Sequence, residues 1–190
     1  MLYKGQNSSL DFKQFFTMII TRIIFLSIFS ILFSLDGFSQ KNVVRKSKKT
    51  VEHFKDTDAT INKLFDTAYG YAVFPSVGKG GIGIGGAFGN GTVYKGGKAV
   101  GDCKLTQVSI GFQFGGKKYA EVIFFETKEV YDRFISSKYE FAAQVSAVAL
   151  ASGASADAKY RDGIVVFTNA IGGLMYEASI GGQKFKTRVY

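Results

Sequence analysis

Eight of the fourteen residues from Gly78 to Gly91 are glycine. No other stretch restricts the possible folds as strongly. Between Gly81 and Gly85, Ile82 and Ile84 alternate with glycine, which is the period-two pattern of a strand. One face of that strand carries isoleucine and the other carries no side chain. Glycine in a strand costs about 0.5–1 kcal/mol relative to alanine. A series of them implies that something packs directly on the bare face: another backbone, a helix or a ligand.

The flanking sequence is strand-rich. Tyr71, Ala72, Val73 and Phe74 run into Pro75, the only proline. Asn90-Gly91 and Gly96-Gly97 are hairpin signals, and they bracket a strand from Thr92 to Lys95. Val108, Ile110, Phe112 and Phe114 alternate with Ser109, Gly111, Gln113 and Gly115, which predicts a half-buried strand. A turn at Gly115-Gly116 then leads into Tyr119–Phe125. There Val122 to Phe125 is apolar on both faces and reads as a central strand covered on both sides. Thr127 is positioned to cap a helix reaching about Ser137, with Val130, Tyr131 and Phe134 on its buried side. Phe141 to Leu150 leans toward strand, Ala151 to Lys159 is a small-residue loop, and Ile164 to Thr168 is a further strand. A last hairpin is expected from Leu174 to Tyr190, turning at Gly181-Gly182. The class is α+β: a strongly twisted or barrel-like antiparallel sheet with glycine-rich hairpins, packed against an N-terminal helical segment and one further short helix.

The N-terminus reads as a leader. Lys13 and Arg22 precede an apolar run, Ile23 to Leu35. Its 13 residues fall short of the roughly 20 needed to span a bilayer, and they suit the apolar core of a secretory signal. Gly37 and Ser39 place cleavage before Gln40, so residues 1–39 are expected to be removed. An uncleaved anchor is the alternative, and Met18 is a second possible start. Residues 40–49 read as a basic tail holding Lys41, Arg45, Lys46, Lys48 and Lys49. Such a block is either a solvated terminus or an electrostatic anchor to an anionic membrane. Residues 50–190 form the domain proper. Its first part, Thr50 to Ala68, is one helix or two short ones, interrupted at Asp56-Thr57-Asp58. It either covers the sheet through Phe54, Ile61, Leu64 and Phe65 or lays that face on lipid.

Composition narrows the chemistry. One cysteine, Cys103, rules out an intramolecular disulfide, and one histidine, His53, leaves a serine triad a single candidate base. Gly81-Ile82-Gly83-Ile84-Gly85-Gly86 matches G-x-G-x-x-G, but a turn and a strand follow it where a dinucleotide site needs a helix. Gly78-Lys79 is followed by glycine, so there is no Walker A loop. No catalytic residue, metal site or cofactor is expected. The net charge of +9 favours anionic partners. Lys79, Lys95, Lys98, Lys117 and Lys118 cluster near glycine turns. They serve either to protect sheet edges or to hold anionic head groups. Nucleic acid is not expected, because no helix combines basic residues with groove-reading side chains.

Several motifs together resemble the SYLF domain. Tyr69-Gly70-Tyr71-Ala72-Val73-Phe74-Pro75-Ser76-Val77-Gly78-Lys79-Gly80-Gly81 and Gly85-Gly86-Ala87-Phe88-Gly89-Asn90-Gly91 look like its opening. Thr106 to Gly116 is similar to its second signature. Ile123-Phe124-Phe125, Gly172 to Ala178 and Gly181 to Phe185 continue the likeness. The resemblance spans about Thr50 to the C-terminus. It implies a lipid-binding module and not an enzyme. Eukaryotic members bind phosphoinositides (phosphatidylinositol lipids), and some bind and bundle actin. This chain looks like the short exported bacterial form.

The expected function is therefore non-enzymatic binding of anionic phospholipid by an exported protein, periplasmic or secreted and peripheral to a membrane. The expected contact residues are Lys41, Arg45, Lys46, Lys48, Lys49, Phe54, Lys79, Lys95, Lys98, Lys117 and Lys118. The alternative is an interaction module of the cell envelope that binds a protein partner or self-associates through its glycine-faced sheet.

Overall fold

In the computed structural model, residues 17–22, 40–136, 140–141 and 148–190 are described. The chain divides into two units, Met1–Lys41 and Asn42–Tyr190. In the first, residues 17–22 are helical, with Thr21 Oγ1 donating to the Thr17 carbonyl at 2.8 Å. The leader's apolar run lies outside the described residues. Among the described residues no helix is long and apolar enough to cross a membrane.

The second unit is built on three very long strands. Helix α1 (residues 40–57), a 3-10 turn (Ala59–Ile61) and α2 (Asn62–Thr67) lead into β1 (Gly70–Lys95) and β2 (Lys98–Phe125). Helix α3 (Lys128–Ile135), two short strands β3 (Glu140–Phe141) and β4 (Val148–Ala149), and β5 (Ile164–Val189) complete it. The sheet order is β1-β2-β5-β3, with β4 parallel to β5 and every other pairing antiparallel. The fold is α+β, and the sheet is open, because among the described residues β1 pairs only with β2.

Sequence-predicted hairpins collapse into one. Of the predicted glycine turns within the strands, only Gly96-Gly97, both with positive φ, turns the chain. Asn90-Gly91 stays in strand, opposite Lys104 and Cys103. Gly115-Gly116 and Gly181-Gly182 also run through, so the expected last hairpin is the second half of β5. Part of the Phe141–Leu150 reading is met by β3 and β4, and residues 142–147 lie outside the described residues.

The long β1–β2 hairpin bends midway and folds back on itself. At the bend the register jumps from Ile82↔Phe114 to Ile84↔Ile110. Gly83 takes φ +71 there. Beyond the bend, β1 returns along its own first half. A Cβ on Gly91 would lie 2.6 Å from the Val73 carbonyl oxygen, one on Gly89 would lie 2.8 Å from Val77 Cγ2, and one on Gly70 would lie 2.8 Å from the Tyr94 carbonyl oxygen. The Tyr71 and Tyr94 rings stack at 4.9 Å across the same seam. What packs on the bare glycine face is thus the chain's own backbone. The glycine face proposed for self-association is already occupied at Gly89 and Gly91.

Two apolar cores result. The inner one joins Ala72, Phe74, Ile123 and Phe125 of the first arm to Val93, Leu105 and Phe185 of the second, closed by Val130, Tyr131 and Phe134 of α3. Helix α3 is the element the sequence predicted, with Thr127 accepting from the Val130 N–H. The outer core packs Tyr71, Val73, Val122, Phe124, Val165 and Phe167 under Phe54, Ile61 and Phe65. Val122 to Phe125 is buried on both faces, as expected.

Helix α1 begins well before Thr50, so the predicted basic tail is helical. Its Ser47 is buried, with Oγ 3.1 Å from Thr92 Oγ1 and 3.4 Å from the Val73 carbonyl oxygen. The helix therefore seals the seam between the two passes of β1. The helical segment breaks at Asp58, where the sequence places an interruption.

Candidate functional site

The sheet register brings lysines together. Lys79 of β1 stands directly opposite Lys117 of β2, which in turn faces Gly173 of β5. In the next row, Gly78, Lys118 and Gly172 are aligned. These six residues, with Gly116 and Ile171, line an open groove of about 570 Å³. Its floor is bare because Gly173 cannot carry a side chain: its φ is +94, and a Cβ would meet the Gly116 carbonyl oxygen at 2.4 Å. A second groove of about 350 Å³ shares Ile171 and is lined by Lys49, Thr50, His53, Pro75, Ala120, Asn169 and Ala170. Here His53 Nε2 lies 2.6 Å from Asn169 Nδ2.

Like charges directly opposite on a sheet are destabilising. This sheet places three such lysine pairs: Lys79/Lys117, Lys95/Lys98 and Lys104/Lys186. Sequence reasoning missed Lys104, Lys184 and Lys186. The alternation Lys184-Phe185-Lys186 was the available signal, but pairing with Lys104 is a matter of register. Lys95 and Lys98 sit elsewhere. Lys95 Nζ lies 4.9 Å from the Tyr69 ring centroid, and Tyr69 is about 33 Å of extended strand from Lys79.

Of the N-terminal cations, Lys41, Arg45, Lys46, Lys48 and Lys49 are all exposed, and only Lys49 lines either groove. Phe54 requires correction as a contact residue. It is completely buried in the outer core, as is Ile61, and Phe65 is nearly so. Their periodic face is spent on covering the sheet. Cys103 is buried, and desolvation holds its thiol well above the ordinary range, so it is an inert core group.

Beneath the lysines lies one buried acid. Burial pushes the Glu121 carboxyl up to about 7, against the opposing pull of the Gln183 hydrogen bond and the charge of Lys79. Gln183 Nε2 donates to Oε2 at 3.2 Å, while Oε1 has no hydrogen-bond partner. The folded state thus keeps the Glu121 proton at pH values where the unfolded chain has released it. Stability is expected to fall as pH rises from about 4.5 to about 7, by up to about 3 kcal/mol, and to level off above. Urea denaturation across that range checks this, and Glu121→Gln is expected to flatten the slope.

Comparison with known proteins gives two matches. Residues 106–190 match the family model described as Ysc84, Las17-binding protein actin regulator. The chain is also similar to a protein of Aeromonas veronii named Beta cell expansion factor A, 36% identical over 131 residues. That match covers 64% of this chain and 47% of the relative, so the chain spans about half the relative's length.

Proposed function

We propose, for a chain whose residues 106–190 match the Ysc84 family model and whose motifs resemble the SYLF domain, that it binds the phosphate-bearing head groups of anionic phospholipid at a membrane surface. It acts as an exported, peripheral binding module and not as an enzyme. The observation that carries the reading is the cross-strand pair Lys79/Lys117 above a glycine floor. The register brings two lysines to directly opposite positions beside one groove, where an anionic head group meets both. Each basic residue held near an anionic surface contributes about 1 kcal/mol. Lys118 and Lys49 extend the basic surface along the two adjoining grooves.

Charge reversal tests this reading. The Lys117→Glu/Lys118→Glu variant is expected to lower association with phosphatidylglycerol vesicles tenfold or more. Its melting temperature is expected to hold, because Lys118 is exposed and Lys117 is partly so. Co-sedimentation and thermal melting measure the two effects. Unchanged association in the folded variant would remove the groove from the account.

A further inference from the structure

The bend of the hairpin carries an apolar surface that the function above does not use. Ile82, Ile84, Ile110 and Phe114 are 77%, 68%, 67% and 60% exposed, and Val108 and Phe88 lie beside them, also exposed. They form cross-strand neighbours: Ile82 opposite Phe114 before the bend, Ile84 opposite Ile110 after it. On the inner face at this point the residues are small, with Gly85 and Ser109 buried opposite each other. The sequence pattern predicts that Val108, Ile110 and Phe114 point inward. The tight bend leaves no room inside, so the alternation is inverted and the large side chains face out.

Lysines follow this apolar tip on both arms. On the first arm, Lys79 and Lys117 stand three residues back from Ile82 and Phe114. On the second, Lys184 aligns with Thr106, which is opposite Phe88, and Lys104 and Lys186 pair two residues further back. Lys104, Lys184 and Lys186 are exposed. Three residues of strand measure about 10 Å. An apolar face resting in a bilayer interface sinks about 5–10 Å below the head groups. On the first arm the spacing from lysines to tip therefore matches that depth, and the second-arm lysines lie further back, four and six residues behind Ile110.

We infer that the folded tip is a membrane wedge. Ile82, Ile84, Ile110 and Phe114 enter the acyl boundary of an anionic bilayer, while the lysines behind them stay level with the phosphates. This rests on the lipid reading given above and adds the element that penetrates. A second copy of the chain is the less suitable occupant, because two tips meeting face to face would also bring their lysines together.

The protein contains no tryptophan, so Ile84→Trp in the full chain supplies a single reporter at the tip. With phosphatidylglycerol vesicles its emission is expected to shift to the blue and to be quenched by lipids brominated high on the acyl chain. With phosphatidylcholine vesicles or buffer it is expected to remain that of an exposed indole. Tyr190→Trp, at the exposed chain end, is expected to show neither change. In parallel, Ile84→Asn/Ile110→Asn is expected to weaken vesicle association tenfold or more without changing the melting temperature. Co-sedimentation with an unshifted, unquenched tip reporter would overturn the wedge and leave head-group binding standing. A concentration-dependent blue shift without vesicles, with a dimer in light scattering, would assign the tip to a second copy and overturn the wedge. Absence of co-sedimentation with anionic vesicles would overturn both readings.

Discussion

Replacing Asp58 by alanine is expected to lower folding stability by about 2–4 kcal/mol, the combined cost of a lost cap and a stranded buried donor. Asp58 is completely buried where the N-terminal helical segment breaks. Its Oδ1 accepts from the Thr60 N–H at 2.9 Å and from the Gly153 N–H at 3.2 Å, and its Oδ2 accepts from the Ser155 N–H at 2.8 Å. The Thr60 hydroxyl also donates to Oδ1 and lies 2.6 Å from Ser155 Oγ. One carboxylate thus caps a helical turn and fastens the small-residue loop of residues 151–158 to it. Alanine would leave the buried Ser155 N–H without an acceptor, at about 1–3 kcal/mol, and would remove the cap from the part-buried Thr60 and Gly153 N–H groups. Burial alone would raise the Asp58 pKa, but the hydrogen bonds from Thr60 and Ser155 outweigh it and hold the pKa at about 2. The folded pKa lies below the unfolded one, so this stabilisation is present above about pH 4 and is lost as pH falls toward 2. Chemical denaturation at neutral pH and at pH 3 checks both parts. A loss under 1 kcal/mol at neutral pH would mean that the network does not hold the loop.

Gly91→Val is expected to cost about 3 kcal/mol, while Gly78→Val in the same strand is expected to be close to neutral. The difference follows from the fold-back. A Cβ at position 91 would lie 2.6 Å from the Val73 carbonyl oxygen and 2.7 Å from the Phe74 ring. Neither can retreat, because Val73 and Phe74 are fully buried in opposite cores, and overpacking of this kind typically costs 1–3 kcal/mol. At Gly78 nothing lies within 4 Å. A valine there gains β-propensity and loses the backbone freedom of glycine. For a chain of this length each kcal/mol shifts the melting temperature by about 2–4 °C, so differential scanning calorimetry separates the two variants. Equal effects would show that the second pass of β1 does not rest on the first.

The elements that local chemistry dictates were legible in the sequence. Thr127 capping α3, the break at Asp58 and the doubly buried run Val122–Phe125 all depend on near neighbours along the chain. The glycine face correctly announced a close approach, and another backbone was one of its three possible occupants. Which occupant it was depends on a sheet that bends through half a turn, and that is a property of the assembled register. The same cause misled the turn assignments. Asn90-Gly91 has the composition of a hairpin turn, yet here glycine is required by the ring and carbonyl pressed against it. It also inverted the strand carrying Val108, Ile110 and Phe114, since alternation identifies two faces without saying which one finds room inside.

The candidate site was legible in part for similar reasons. Lys79, Lys117 and Lys118 were visible as cations beside glycines, and the register unites them. Lys95 and Lys98 share the same local signature but belong to the distant hairpin end. Lys104 and Lys186 are 82 positions apart and meet only through pairing of β2 with β5. Phe54 carried the periodicity of an amphipathic helix, and periodicity is equally satisfied by a sheet or a bilayer. In this fold the sheet takes it. The exposed apolar side chains Ile82, Ile84, Ile110 and Phe114 lie instead on the bend of a hairpin.

Flotation of the full chain with vesicles of phosphatidylglycerol and of phosphatidylcholine, at about 0.1 M and about 1 M salt, tests the central claim most directly. Over that range the Debye length contracts from about 10 Å to about 3 Å. The account predicts flotation with the anionic vesicles at low salt, a marked decrease at high salt, and little with the neutral vesicles at either. Equal flotation with both lipids, or none with either, would contradict it.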